Sequence, residues 1–226
     1  LYRRQRYYSM ALDAYNAALR GMKLTLGTHH SNVSAILGNI GNLYKEMGDL
    51  DSAFSTYQEV LGLESYRLGL SHPEVAITLH NIATIEALRG HYENALKLYK
   101  RVLSLQKKLF GKGHISVAAT TACMGDVYER RGNLEKAMEL GENALQIKMK
   151  ELGRHNTEVG RTLHKLGKIA FQQNLYNLAE SYLNRALLIY RLNNLGEGHE
   201  WIVEATRDSA DIDAVVALGT DTGYEC

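Results

Sequence analysis

One proline and two cysteines in 226 residues set the first limits on this chain. With a single proline, helices can run without interruption, and 20 glycines supply the turns between them. The cysteines, Cys123 inside a helical pattern and Cys226 at the last position, cannot build a disulfide framework, which fits a reducing compartment such as the cytoplasm. Charge of one sign is also missing. Lysine and arginine number 26 against 25 aspartates and glutamates, a formal charge of +1, so no overall field draws the chain to nucleic acid or to an anionic membrane. No apolar run approaches the ~20 residues that span a bilayer. A phosphate-binding loop, a nucleophile elbow and a carboxylate pair are absent as well. No enzyme is expected within these residues, and no catalytic residue or cofactor is assigned.

What is present is repetition. "NLYKEMGDLDSAFSTYQEVL" from Asn42 returns as "TIEALRGHYENALKLYKRVL" from Thr84, "DVYERRGNLEKAMELGENAL" from Asp126 and "KIAFQQNLYNLAESYLNRAL" from Lys168. A shorter copy, "LYRRQRYYSMALDAYNAAL", opens the chain. The starts at 42, 84, 126 and 168 give a strict 42-residue period, the mark of a solenoid. Each copy places a turn residue (Gly48, Gly90, Gly132, Asn174) five positions before an alanine (Ala53, Ala95, Ala137, Ala179). Between copies, Gly27, Gly69, Gly111 and Gly196 precede His30, His72, His114 and His199 by three residues, and Gly153 precedes His155 by two. Such a joint reads as a helix stop followed by a helix start, with Pro73 suited to the first turn.

Both helices of a pair carry one apolar face. In the second copy Val75, Leu79, Ile82, Ala83 and Glu86 share the first helix's face, and Ala95, Leu96, Tyr99, Val102 and Leu103 the second's. The small residue recurring as Gly41, Ala83, Gly125 and Gly167 predicts a close helix crossing. The tyrosines, 14 in all, recur at core spacing and read as packing. The expected organisation is a partial repeat at 1–27, with a turn near Arg6 and an array continuing upstream. Repeats follow at 28–70, 71–112, 113–154 and 155–197, then a capping helix at 198–218 and a mobile tail at 219–226. In the cap the pattern restarts one residue out of phase on Ile202 and Ala210, and Asp208, Asp211 and Asp213 make it polar.

These residues together resemble the tetratricopeptide repeat, in a 42-residue form similar to the kinesin light chain type. The match is carried by "GLSHPEVAITLHNIA" from Gly69 to Ala83 and by "YENALKLYKRVL" after the turn. The resemblance implies an all-α, right-handed superhelical solenoid of antiparallel helix pairs, whose first helices line a concave groove that takes peptides. In kinesin light chains, asparagines of the first helices bond the peptide backbone, which implies that role for Asn39 and Asn81. The third and fourth repeats depart from that pattern with Cys123 and Lys165. Clamp-type members of the family place bases where Arg161 and Lys165 stand, but the other clamp positions fall on His80, Thr84 and Cys123, so a complete carboxylate clamp is not expected.

Read from the residues alone, an asparagine can contact a peptide backbone through donor and acceptor together, or bond a neighbouring helix. The peptide-binding candidates in the first two repeats are Asn39, Asn42, His80 and Asn81. On the fourth repeat Arg161, Lys165 and Lys168 fall at i, i+4 and i+7 with His164 beside them, one cationic stripe. It can seat an acidic peptide, or pair internally with Asp208 and Asp211 of the cap. The histidines of the joints lie one per repeat, too far apart to share an ion, so they are read as packing or capping groups and no metal site is expected. Cys123, with no base in its own helix, reads as a small filler.

The function expected is a non-catalytic adaptor that binds an extended, acidic peptide of a protein partner, without nucleic acid or membrane. The alternatives are a structural or oligomerisation segment of a larger multidomain parent, or a regulatory array attached to a catalytic or signalling domain outside this chain.

Overall fold

The computed structural model describes residues 2–221, with side chains from 7 to 217. Ten helices and no strand occur among the described residues: α1 (Tyr2–Leu26), α2 (Ser31–Met47), α3 (Leu50–Leu68), α4 (Pro73–Leu88), α5 (Tyr92–Phe110), α6 (Ile115–Arg130), α7 (Leu134–Leu152), α8 (Thr157–Gln172), α9 (Tyr176–Leu192) and α10 (Glu200–Asp221). They form two compact units that divide at the end of α5, between Leu109 and Phe110. The fold is the all-α solenoid of helix pairs.

Two kinds of turn alternate. Inside a pair, Gly48, Gly90 and Gly132 take φ of 82°, 83° and 78°, and Asn174 takes 59° at the equivalent place. This left-handed residue lets the next amide reach back five positions, from Asp49 to Tyr44, His91 to Glu86, Asn133 to Tyr128 and Leu175 to Ala170, each at 2.9 Å. Asn174 closes the turn as the glycines do, because asparagine tolerates positive φ. Between pairs the next helix is capped by the joint histidine. Nδ1 of His30, His72, His114 and His199 accepts the backbone N–H two residues on, from Asn32, Glu74, Ser116 and Trp201, at 3.2 Å each. In the fourth joint the cap is Asn156, accepting from the Glu158 amide at 2.9 Å, and not His155. At the fifth joint the positive φ sits on Asn194, at 57°.

Burial follows the expected face and widens it on both flanks. Val75, Leu79, Ile82, Ala83 and Glu86 are buried, and so are Ala76 on one edge of that face and Thr78 and Ile85 on the other. In the first unit α4 packs against its own partner α5 and against α3 of the preceding pair. Thus Leu61 of α3 and Leu98 of α5 both pack on the Val75–Leu79–Val102 cluster. In the second unit one continuous core runs from Ala137 of α7 to Ile212 of α10.

Three expectations at the ends require correction. α1 runs unbroken through Arg6, so no turn separates two helices there. Ala210 is exposed, and α10 instead buries Ile202, Ala205 and Ile212. That helix continues to Asp221, past 218; the rest of the tail, with Cys226, lies outside the described residues.

Candidate functional site: the faces of the first helices

The candidate residues fall four in each unit. In the first, Asn39 and Asn42 are exposed on α2, while His80 and Asn81 are half-buried on α4. Asn42 is engaged already: its Oδ1 accepts from the Tyr57 hydroxyl at 2.7 Å and from Lys45 Nζ at 3.5 Å. One repeat later the same geometry links Thr84 and Tyr99, hydroxyl to hydroxyl at 3.0 Å. The His80 ring meets the Tyr99 ring edge-on, 5.4 Å between centroids. Burial, and secondarily the Lys45 charge, lower the His80 pKa below its ordinary value. The second-helix tyrosines Tyr57 and Tyr99 thus meet the first helices at Asn42, Thr84 and His80.

In the second unit an open cleft with a volume of about 510 Å³ lies across α6, α8 and α10. Arg161, Lys165 and Lys168 line it as a stripe, but most of that stripe is paired. Lys165 Nζ binds Asp126 in a close contact and Glu129 at 3.7 Å. Arg161 binds Glu158 of its own helix at 2.8 Å, and its guanidinium lies 5.0 Å from the centre of the Trp201 ring. His164 is buried and bonds Asp208 at 2.8 Å, which ties α8 to α10. Lys168 is exposed, with no ion pair among the described residues. Internal pairing with the cap, weighed in the sequence, thus holds only for His164 and Asp208. Asp211 is exposed, and the partners of Lys165 come from the preceding repeat.

The cleft has further walls that sequence reasoning missed. Lys148 of α7 reaches Glu158 at 3.2 Å and the Thr162 hydroxyl at 3.0 Å. Burial raises the Glu158 pKa, but the Arg161 and Lys148 hydrogen bonds and charges outweigh it and hold the carboxyl below its usual range. Trp201 and Glu204, three residues apart on α10, close one end. Beneath them the Tyr190 hydroxyl is fully buried and has no hydrogen-bond partner among the described residues. Burial pushes that hydroxyl up to about 12, so it is protonated at neutral pH. The 42-residue spacing was the available signal: Asp126 and Lys168 occupy the Asn42 position, and Trp201 follows the last joint histidine.

Cys123 is half-buried and forms no disulfide among the described residues. No cluster of three metal-ligating side chains occurs among them either.

The sequence profile of the tetratricopeptide repeat matches residues 1–63, 74–147 and 116–192. The chain belongs to the tetratricopeptide repeat family. No curated protein sequence matches it. Among solved structures, BtubC (BKLC) from P. vanneervenii is similar over 99% of this chain and 94% of its own, with 18% identity and a TM-score of 0.70. A kinesin light chain-type protein with nearly identical TPR-like repeats, from Podosopora anserina, covers 85% and 92%, with 20% identity and a TM-score of 0.67. MamA covers 85% and 94%, with 18% identity and a TM-score of 0.56. At these identities the likeness shows the fold, a tetratricopeptide array. Arrays of this family are in general protein-interaction scaffolds and not catalysts. No helix among the described residues is long and apolar enough to cross a membrane.

Proposed function

We propose that this tetratricopeptide array is an adaptor that holds an extended segment of a partner protein against its first helices. The observation that carries the reading is the polar cleft of about 510 Å³ across α6, α8 and α10, open to solvent and walled by side chains that donate and accept. An extended peptide leaves its backbone amides unsatisfied and needs such groups along its length. In the first unit Asn39 and Asn81 supply amides of that kind. They stand 42 residues apart at equivalent places on α2 and α4.

The preference for acidic segments, expected from the cationic stripe, is weakened by the pairing of Lys165 and Arg161 with carboxylates of the cleft. Binding in the second unit then rests on shape and hydrogen bonds as much as on net charge.

A peptide-array screen of the chain at low and high salt tests this proposal. Binding that weakens on Asn81→Ala or Asn39→Ala supports the adaptor reading. Failure to bind any peptide, together with a light-scattering mass that falls on dilution, would replace it with the oligomerisation segment.

A further inference from the structure

The charged side chains lining the cleft are four of each sign: Lys148, Arg161, Lys165 and Lys168 against Asp126, Glu129, Glu158 and Glu204. Six of the eight are consumed in pairs within the cleft, Lys165 with Asp126 and Glu129, and Glu158 with Arg161 and Lys148. The two without an ion pair among the described residues are Lys168 on α8 and Glu204 on α10, both exposed and opposite in sign.

Their separation follows from their neighbours. Glu204 stands one helical turn beyond Trp201, whose ring carries the Arg161 guanidinium, so it sits at the Arg161 end of α8. Lys168 lies seven residues further along that helix, two turns or ~10 Å. With the ~8–10 Å between packed helices added at right angles, the two groups stand roughly 13 Å apart, about three to four residues of an extended peptide at ~3.3 Å each.

Resting on the adaptor reading above, we propose that the second unit selects a partner segment carrying one basic and one acidic side chain about three to four positions apart, the base against Glu204 and the acid against Lys168. Like-charged segments satisfy one of these groups and are repelled by the other. A peptide can run either way along the cleft, so the spacing is fixed by the helix and the order is a matter for measurement.

Trp201 is the chain's single tryptophan and lines the cleft, so its fluorescence reports occupancy directly. The test uses nine-residue Ser/Ala peptides carrying Lys and Glu three or four apart in either order, Lys and Glu adjacent, two Glu, or two Lys, titrated by Trp201 fluorescence and by peptide anisotropy. One order of the spaced mixed pair is expected to bind about tenfold tighter than either like-charged peptide, one pair gained and one repulsion avoided at roughly two- to fivefold each, multiplied together. Lys168→Glu and Glu204→Lys should each lose about tenfold, since a pair is replaced by a repulsion, and the double reversal should prefer the opposite order. Equal or tighter binding of the two-Glu peptide would overturn this inference while leaving the groove in place. If no peptide moves either signal, the adaptor reading falls and the inference falls with it.

Discussion

The Tyr57 ring lies against Gly41 while its hydroxyl donates to Asn42 at 2.7 Å, so one α3 side chain holds two consecutive α2 residues. A Cβ on Gly41 would stand 2.9 Å from the Tyr57 ring. Alanine favours helix over glycine by about 0.5–1 kcal/mol, yet here the ring is pinned by its own hydrogen bond and cannot retreat. Gly41→Ala should therefore destabilise by roughly 1–3 kcal/mol, the usual cost of overpacking. Gly38→Ala, three residues earlier in the same helix with nothing within 4 Å of its Cβ, should stabilise by about 0.5–1 kcal/mol. Urea midpoints of the two variants check the contrast, and midpoints moving in the same direction would disprove the crossing argument.

At the joints the cap, and not histidine as such, is what the fold requires. Each capping imidazole accepts a backbone N–H on Nδ1, a task that Asn156 performs through Oδ1 at 2.9 Å. His72→Ala should cost about 0.5–2 kcal/mol, the usual loss for a removed N-cap. His72→Asn should recover most of it. Thermal midpoints of both variants decide the matter; an asparagine variant as unstable as the alanine one would mean that the ring's packing, not its acceptor, matters.

The 42-residue period made the helix pairs, turns and small-residue crossings legible because each is a local pattern repeated in register. The partner chosen by an individual polar group was not legible. Asp126 holds the position of Asn42 and Thr84, which pair with Tyr57 and Tyr99, but the third repeat has Gly141 in place of that tyrosine. Leu166 approaches Gly141 instead, and Asp126 turns to Lys165. Asp208 likewise falls 42 residues after Leu166, at a core position, and meets His164 there. Periodicity locates such positions; the exchange of one side chain in the facing helix decides what they bind.

The Lys165 pairing gives the cleft its electrical balance, with little expected effect on folding. Its side chain and that of Asp126 are both partly exposed, and such pairs contribute roughly 0–1 kcal/mol. Lys165→Ala should leave the urea midpoint almost unchanged while releasing Asp126 and Glu129 to the cleft. Peptide selection should then shift toward basic segments, a preference that high salt suppresses. A screen in which Lys165→Ala retains the wild-type charge preference would contradict this account of the cleft.

Glu64 makes stability depend on pH in a direction opposite to most carboxylates. It is buried on α3, and its Oε2 accepts from the Thr78 hydroxyl of α4 at 2.6 Å. Burial raises its pKa above the ordinary 4.5, and the Thr78 hydrogen bond only partly opposes that rise. Across the window between the unfolded and folded values the folded state holds the extra proton. The contribution of Glu64 is therefore fully present below 4.5 and is lost as pH rises through the folded value. Glu64→Gln keeps an acceptor for Thr78 and removes the titration. It should match the wild type near pH 4.5 and exceed it in urea midpoint at pH 7, with the gap opening across the window between. A gap that stays constant from pH 4.5 to 7 would show that the Glu64 carboxyl titrates alike in the folded and unfolded chain.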